Sequence, residues 1–174
     1  AFFADPYFPR LIQGIAQACN AEGYTLSLFM FHTEAEERDL YPRVLSRGVV
    51  DGVIIASSQE EDPLIPRLLK SDVPFVLIGR PTTDEEINIV DVDNVVGVHN
   101  AVTHLIRLGR RRIGHIAGPD NTSVGRDRRQ GYINALVERG VPVREELIVE
   151  GDFTETGGYL AAQKLMDAGA DAMV

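Results

Sequence analysis

Residues 108–132 read LGRRRIGHIAGPDNTSVGRDRRQGY, and their order decides the fold. A helix ends at Gly109, an apolar strand follows over residues 113–117, a polar loop intervenes, and a second helix opens with Arg128 and Arg129 at its head. A buried strand that hands the chain to a polar loop and then to an arginine is how a parallel α/β sheet presents a cation to a ligand at its rim.

The same alternation extends in both directions. Toward the N-terminus, residues 1–3 read as the end of a strand and residues 5–9 as a rigid turn. Leu11, Ile12, Ile15, Ala16 and Cys19 then line a helix closed by Gly23. Residues 25–31 read as a strand. Thr33-Glu34-Ala35-Glu36 is a capping box opening a helix to about Arg47, in which Pro42 is expected to force a kink or a split. Residues 49–56 read as the next strand, with an Asp51-Gly52 break just before VIIA. Asp62-Pro63 opens a helix with Leu64, Ile65, Leu68 and Leu69 on one face. Strands over residues 73–79 and 87–92 precede a helix capped at Asp93-Asn94, whose buried stripe is Val98, Val102, Leu105 and Ile106.

Toward the C-terminus, a helix is expected over residues 127–139, ending at Gly140, then a strand over 147–149 and a turn over 151–154. A helix opening at Thr156 or Gly157 carries Tyr159, Leu160, Leu165 and Met166, and residues 170–174 begin a further strand. Alternating helices and strands, with strands apolar on both faces, predict an α/β fold with parallel sheets covered on both sides. Both ends read as cut short.

The 174 residues suffice for one domain or two small lobes with a real core. At 44% hydrophobic and 25% charged, the composition is that of an ordinary globular chain. No apolar run reaches the roughly 18–20 residues of a membrane span, so no membrane partner is expected. A net charge of −9 argues against this segment gripping a nucleic-acid backbone. The single cysteine, Cys19, excludes an internal disulfide framework, fits a reducing compartment and is expected in the core.

Catalytic signals are absent. The first strand–helix turn lacks the glycine fingerprint of a dinucleotide site, no phosphate-loop lysine follows, and no serine elbow occurs. His32, His99, His104 and His115 show no metal-ligand spacing; His99 and His104 stand about 140° apart on a helix. No cofactor and no metal is expected. Arg110, Arg111 and Arg112 read most simply as cations at a helix C-terminus, where the dipole favours them, rather than as a phosphate patch.

Arg128 reads differently. It comes one turn after the loop Asn121-Thr122-Ser123, and its fork can hold two hydroxyls or a carboxylate; the alternative is a surface ion pair. Tyr7, Phe8 and Phe153 follow strand ends at the same rim, where aromatic faces suit the apolar face of a sugar ring. With Ser58 and Arg128 they describe one cleft.

These residues carry a resemblance. DPYFPRLIQGI, VDGVIIAS, FVLIGRP, VDVDN, LGRRRIGHIAGP, RRQGY and GDFT, in that order, resemble the lactose repressor (LacI/GalR) family over essentially the whole chain. The resemblance implies an effector-binding domain of two Rossmann-like, doubly wound parallel-sheet lobes, like the type I periplasmic binding proteins. The N-terminal lobe would span residues 1–93 and the C-terminal lobe residues 94–174, the latter incomplete in this chain. It implies ligand contacts at Tyr7, Phe8, Ser58, Asp93, Arg128 and Phe153, with Asp93 accepting hydroxyl protons. The chain departs from the family in having no helix-turn-helix or hinge, in Pro42, and in GRRR where GHRR is usual.

The expectation is thus the ligand-sensing domain of a cytoplasmic, homodimeric transcriptional regulator. It would bind a small polar effector, a sugar or derivative, and reach operator DNA only through a helix-turn-helix outside this chain. The alternatives are a periplasmic sugar-binding protein of a transport system, which a signal peptide in the gene would mark, and a doubly wound enzyme, which turnover in a substrate screen would mark.

Overall fold

The computed structural model describes residues 7–31, 33–46, 48–56, 64–80 and 85–174. The expected strand at residues 1–3, the Asp62-Pro63 cap and Ser58 lie outside the described residues. The chain divides into two compact units, Ala1–Val50 and Asp51–Val174.

In the first unit, α1 spans Tyr7–Ala21. Tyr7, Phe8 and Pro9, expected in a turn, form its first turn instead. Proline is tolerated there because the first donors of a helix have no partner within it. The helix closes where Gly23 adopts φ 76° and Tyr24 N donates to the Cys19 carbonyl at 2.8 Å. Cys19 is half-buried rather than in a core, and no residue of α1 is fully buried. Residues 25–31, expected as a strand, join no ladder among the described residues, and Leu28, Phe29 and Met30 are exposed. A strand is stabilised by a paired neighbour, which periodicity alone does not supply.

The second helix, α2 (Glu34–Val44), opens at Thr33, whose Oγ1 accepts the N–H of Glu36 at 3.2 Å. It runs unsplit through Pro42, contrary to expectation. Pro42 stands in the last turn, so little helix remains beyond it to disrupt, and Leu45 N still reaches the Tyr41 carbonyl at 2.9 Å. Ser46 Oγ donates to the Pro42 carbonyl at 2.6 Å. Tyr41 is buried, edge-on to Phe31 at 5.6 Å.

The second unit holds two parallel three-stranded sheets. In the first, β1 (Val53–Ala56), β2 (Phe75–Ile78) and β3 (Ile89–Val90) lie in chain order, with Ile55 opposite Leu77 and Leu77 opposite Ile89. The intervening helix α3 (Leu64–Leu69) buries Ile65 and Leu68, whereas Leu69, expected on that face, is exposed. Beyond Asp93 comes α4 (Asn94–Arg107), then the second sheet, ordered β5-β4-β6. Its strands are β4 (Ile113–Ala117), β5 (Ile148–Glu150) and β6 (Ala172–Met173), interleaved with α5 (Ser123–Glu138) and α6 (Glu155–Asp167).

Two helix starts differ from the sequence reading, both because a threonine caps earlier. Thr122 Oγ1 accepts the N–H of Gly125 at 3.1 Å, so α5 begins at Ser123 rather than Asp127. Thr154 Oγ1 accepts from Gly157 N at 3.0 Å and starts α6 at Glu155. Arg128 therefore lies in the second turn of α5, not at its head.

The central strand β4 is covered on both faces. Val102 and Ile106 of α4 with Tyr132, Ala135 and Leu136 of α5 bury Ile113, at about 1.5–3 kcal/mol for each large apolar side chain withdrawn from water. On the other face Leu165 of α6 packs so tightly on Gly114 that a Cβ there would stand 2.9 Å from its Cδ1. Tyr159, Leu160 and Met166 of α6 point outward.

The arginine run ties two helix ends together. Arg111 Nη1 donates to the Ile106 carbonyl of α4 at 3.1 Å. Arg112 instead serves α6, its Nε and Nη2 donating to the carbonyls of Gly169 and Ala168 at 2.8 and 2.6 Å. The Asp171 carboxylate accepts the backbone N–H groups of both arginines at 3.0 and 3.1 Å.

Candidate functional site: the C-terminal rim of the second sheet

Three elements converge on the end of β4. Gly118 follows the strand directly, and a Cβ there would stand 2.5 Å from Phe153 Cζ and 3.1 Å from Gly125 Cα. Only glycine lets the phenyl ring and the first turn of α5 meet at this point. Phe153 itself sits at φ 60°, a left-handed conformation that costs a bulky residue roughly 1–2 kcal/mol. Its ring leans on Gly118 while the residue remains 41% exposed.

The turn that holds Phe153 is built around Asp152. Asp152 Oδ1 accepts from Thr154 N at 3.0 Å and from Thr154 Oγ1 at 2.7 Å, and these bonds hold its carboxyl below the ordinary aspartate value. The side chain occupies the space that a Cβ on Gly157 would need.

Helix α5 delivers Arg128. Gly125, Arg128 and Gly131 recur every three residues along one side of it. At Gly131 the helix passes so close to the Val95 carbonyl of α4 that any Cβ would collide with it. That contact sets Arg128, one turn earlier, against the start of α4, where its Nε donates to Asn94 Oδ1 at 3.0 Å. Asn94 is 6% exposed and its Nδ2 donates to the Val92 carbonyl at 3.2 Å. The two terminal nitrogens of Arg128 have no partner among the described residues, and the residue is exposed. Asp93, the residue before Asn94, is exposed and caps α4 through Oδ1, which accepts from Val96 N at 2.9 Å.

The structure thus brings Arg128 onto Asn94, the residue that follows Asp93, and carries Phe153 to the same strand end from which α5 departs. Tyr7 and Phe8 lie in the first unit at the start of α1, edge-on to each other at 5.3 Å. The sequence reading missed Asn94 as the partner of Arg128 and missed Gly118, Gly125 and Gly131. Gly131, inside the expected helix where glycine weakens it, was the available signal; Gly125 fell before the expected helix start.

The rim offers hydrogen-bond donors, a carboxylate and an aromatic face. Among the described residues no group of His, Cys, Asp or Glu could hold a metal ion, and no helix is long and apolar enough to cross a membrane.

Two parallel sheets in one α/β chain, with polar groups gathered at the strand ends, make this a periplasmic-binding-protein-like fold of type I. The chain belongs to the family of periplasmic binding proteins and sugar-binding domains of the LacI family, whose model matches residues 3–174. It is 36% identical over 171 residues to the HTH-type transcriptional regulator CelR of Thermobifida fusca, covering 97% of this chain and 50% of that protein. It is 34% identical over 163 residues to the HTH-type transcriptional repressor PurR of Yersinia pestis, covering 92% of this chain and 48% of PurR. The solved transcriptional regulator CelR–cellobiose complex superposes with a TM-score of 0.90 at 35% identity, over 99% of this chain and 54% of that one. A regulatory protein of LacI family from Chloroflexus aggregans gives a TM-score of 0.79 at 33% identity, over 89% and 55%. The chain spans about half the length of the curated relatives it matches.

Proposed function

We propose that this chain is part of the effector-binding domain of a LacI-type transcriptional regulator and that its ligand is a small saccharide held between two lobes. The lobes would divide near residue 93, where the chain passes from the first sheet to the second. The carrying observation is the rim itself: an exposed Arg128 with two terminal nitrogens uncommitted among the described residues, bonded to Asn94, which follows an exposed Asp93. Phe153, placed by a strained backbone, offers a face for the apolar side of a sugar ring. Tyr7, Phe8 and Ser58 complete the ligand set in this reading.

Ligand binding would act on DNA through segments outside this chain, and only insofar as the ligand prefers one lobe arrangement over another. The relatives that are transcriptional regulators, and the cellobiose in the CelR complex, support this reading over a transport protein or an enzyme. A homodimer in the cytoplasm is the setting it implies.

The test is calorimetric titration of the full-length protein with cellobiose and a panel of mono- and disaccharides. Arg128→Ala is expected to weaken binding of the sugar that binds by roughly 10- to 100-fold, as for loss of hydrogen bonds from a charged donor. Unchanged affinity in the variant removes Arg128 from the site.

A further inference from the structure

Arg128 is held by a side-chain amide, whereas Arg80 and Arg129 are held by carboxylates. Arg80 pairs with Asp91 at 3.0 Å, and Arg129 with Asp120 at 3.2 Å and Glu145 at 3.6 Å. Arg128 has no carboxylate partner among the described residues; its Nε meets Asn94 Oδ1. The orientation of that amide is fixed by its two partners. A guanidinium N–H can only donate and the Val92 carbonyl can only accept, so the oxygen must face Arg128 and the nitrogen Val92.

An aspartate at position 94 would set an acceptor against the Val92 carbonyl and would neutralise the guanidinium. An aliphatic residue would leave Nε without its anchor. Asparagine does neither: it fixes the guanidinium from its Nε side, adds no negative charge, and leaves both terminal nitrogens free to donate.

We propose that Asn94 is the positioning residue of this site. It aims Arg128 while leaving its charge uncompensated, so the ligand end met here presents two neighbouring acceptor oxygens, such as the vicinal hydroxyls of a saccharide. The proposal rests on the ligand-reading role of Arg128 given above and names what makes that role specific. It also accounts for the close α4–α5 crossing at Gly131, without which Arg128 would not reach Asn94.

The experiment uses the full-length protein with ¹⁵N-labelled arginine and reads the Nε–Hε resonance of Arg128, together with cellobiose affinity. In the wild type the Hε proton is expected to exchange slowly because it is bonded to Asn94 Oδ1. Asn94→Ala is expected to abolish that protection and to weaken cellobiose binding about tenfold. Asn94→Asp is expected to keep the protection, shift the resonance, and still weaken binding, because the new carboxylate competes for the same guanidinium. Should the alanine variant fail to fold, the aspartate variant carries the test through that split between retained protection and lost affinity.

Protection that survives in Asn94→Ala overturns the proposal, as does wild-type affinity in either variant. Absence of binding by cellobiose and by every other sugar of the panel in the wild type counts against the sugar reading instead, and the Hε exchange then decides the role of Asn94 by itself.

Discussion

His115 lies within β4, 2% exposed, its ring stacked on Tyr132 with centroids 4.9 Å apart. Its Nδ1 faces the Val174 carbonyl at 3.3 Å, which can only accept, so Nδ1 carries the proton. Nε2 is then a bare acceptor, without a partner among the described residues. Burial lowers the pKa below the ordinary 6.5, the Val174 carbonyl partly offsets this, and Arg128 and Arg129 lower it further by repulsion. The fold therefore keeps this imidazole neutral while the unfolded chain takes up a proton below pH 6.5. The stability involved is fully present above that value and is lost as pH falls from it toward the lower pKa of the folded state. Urea unfolding from pH 7.5 down to 5.5 should show the decline, and His115→Leu should flatten it; identical slopes would assign it to other groups. Tyr132, pushed up to about 12 chiefly by burial, donates to the Ile113 carbonyl at 2.8 Å and stays un-ionised throughout. The sequence exposed candidate residues such as Arg128 one at a time. It did not reveal that Arg128 and Asn94 meet, because patterns of spacing report local periodicity and carry no signal for partners 34 positions apart.

Among the elements, those bounded by local chemistry were legible. The limits of β4 and the Asp93 cap of α4 match the reading, since an apolar run and a capping side chain act within a turn of themselves. The start of α5 did not, because Asn121-Thr122-Ser123 looks like loop until Thr122 is seen to cap. Thr122→Ala should cost about 1 kcal/mol in unfolding free energy, visible as a lowered thermal midpoint. Two glycines give an opposed pair. Gly131→Ala drives a Cβ into the Val95 carbonyl and should destabilise by about 1–3 kcal/mol, with loss of the Arg128–Asn94 bond and of ligand affinity. Gly97→Ala, in α4 with open space around it, should stabilise by about 0.5–1 kcal/mol and leave the site intact. Equal thermal shifts for the two would refute the close crossing of α4 and α5.

For the whole chain, the succession of parallel α/β units followed from composition and alternation, and the family from ordered motifs. Where strands found partners was not legible: residues 25–31 carry the period of a strand without a described neighbour. Burial is uneven, with Ile113, Tyr132, Ala135 and Leu136 at most 1% exposed while α1 buries no residue. Hydrogen exchange in the free chain should accordingly be slowest in β4 and the second half of α5 and far faster through α1. Uniform protection would contradict that gradient.

The backbone of Phe153 has a consequence for laboratory evolution. At φ 60° glycine is the residue best suited to the backbone, and Phe153→Gly would release conformational strain at the expense of the ring's contact with Gly118. A selection for thermal resistance alone would drift toward glycine at this position, and, on the proposed reading of Phe153 as a ligand contact, a selection for ligand response would restore the aromatic. If Phe153 reads ligand as proposed, position 153 is where durability and responsiveness pull the same codon in opposite directions.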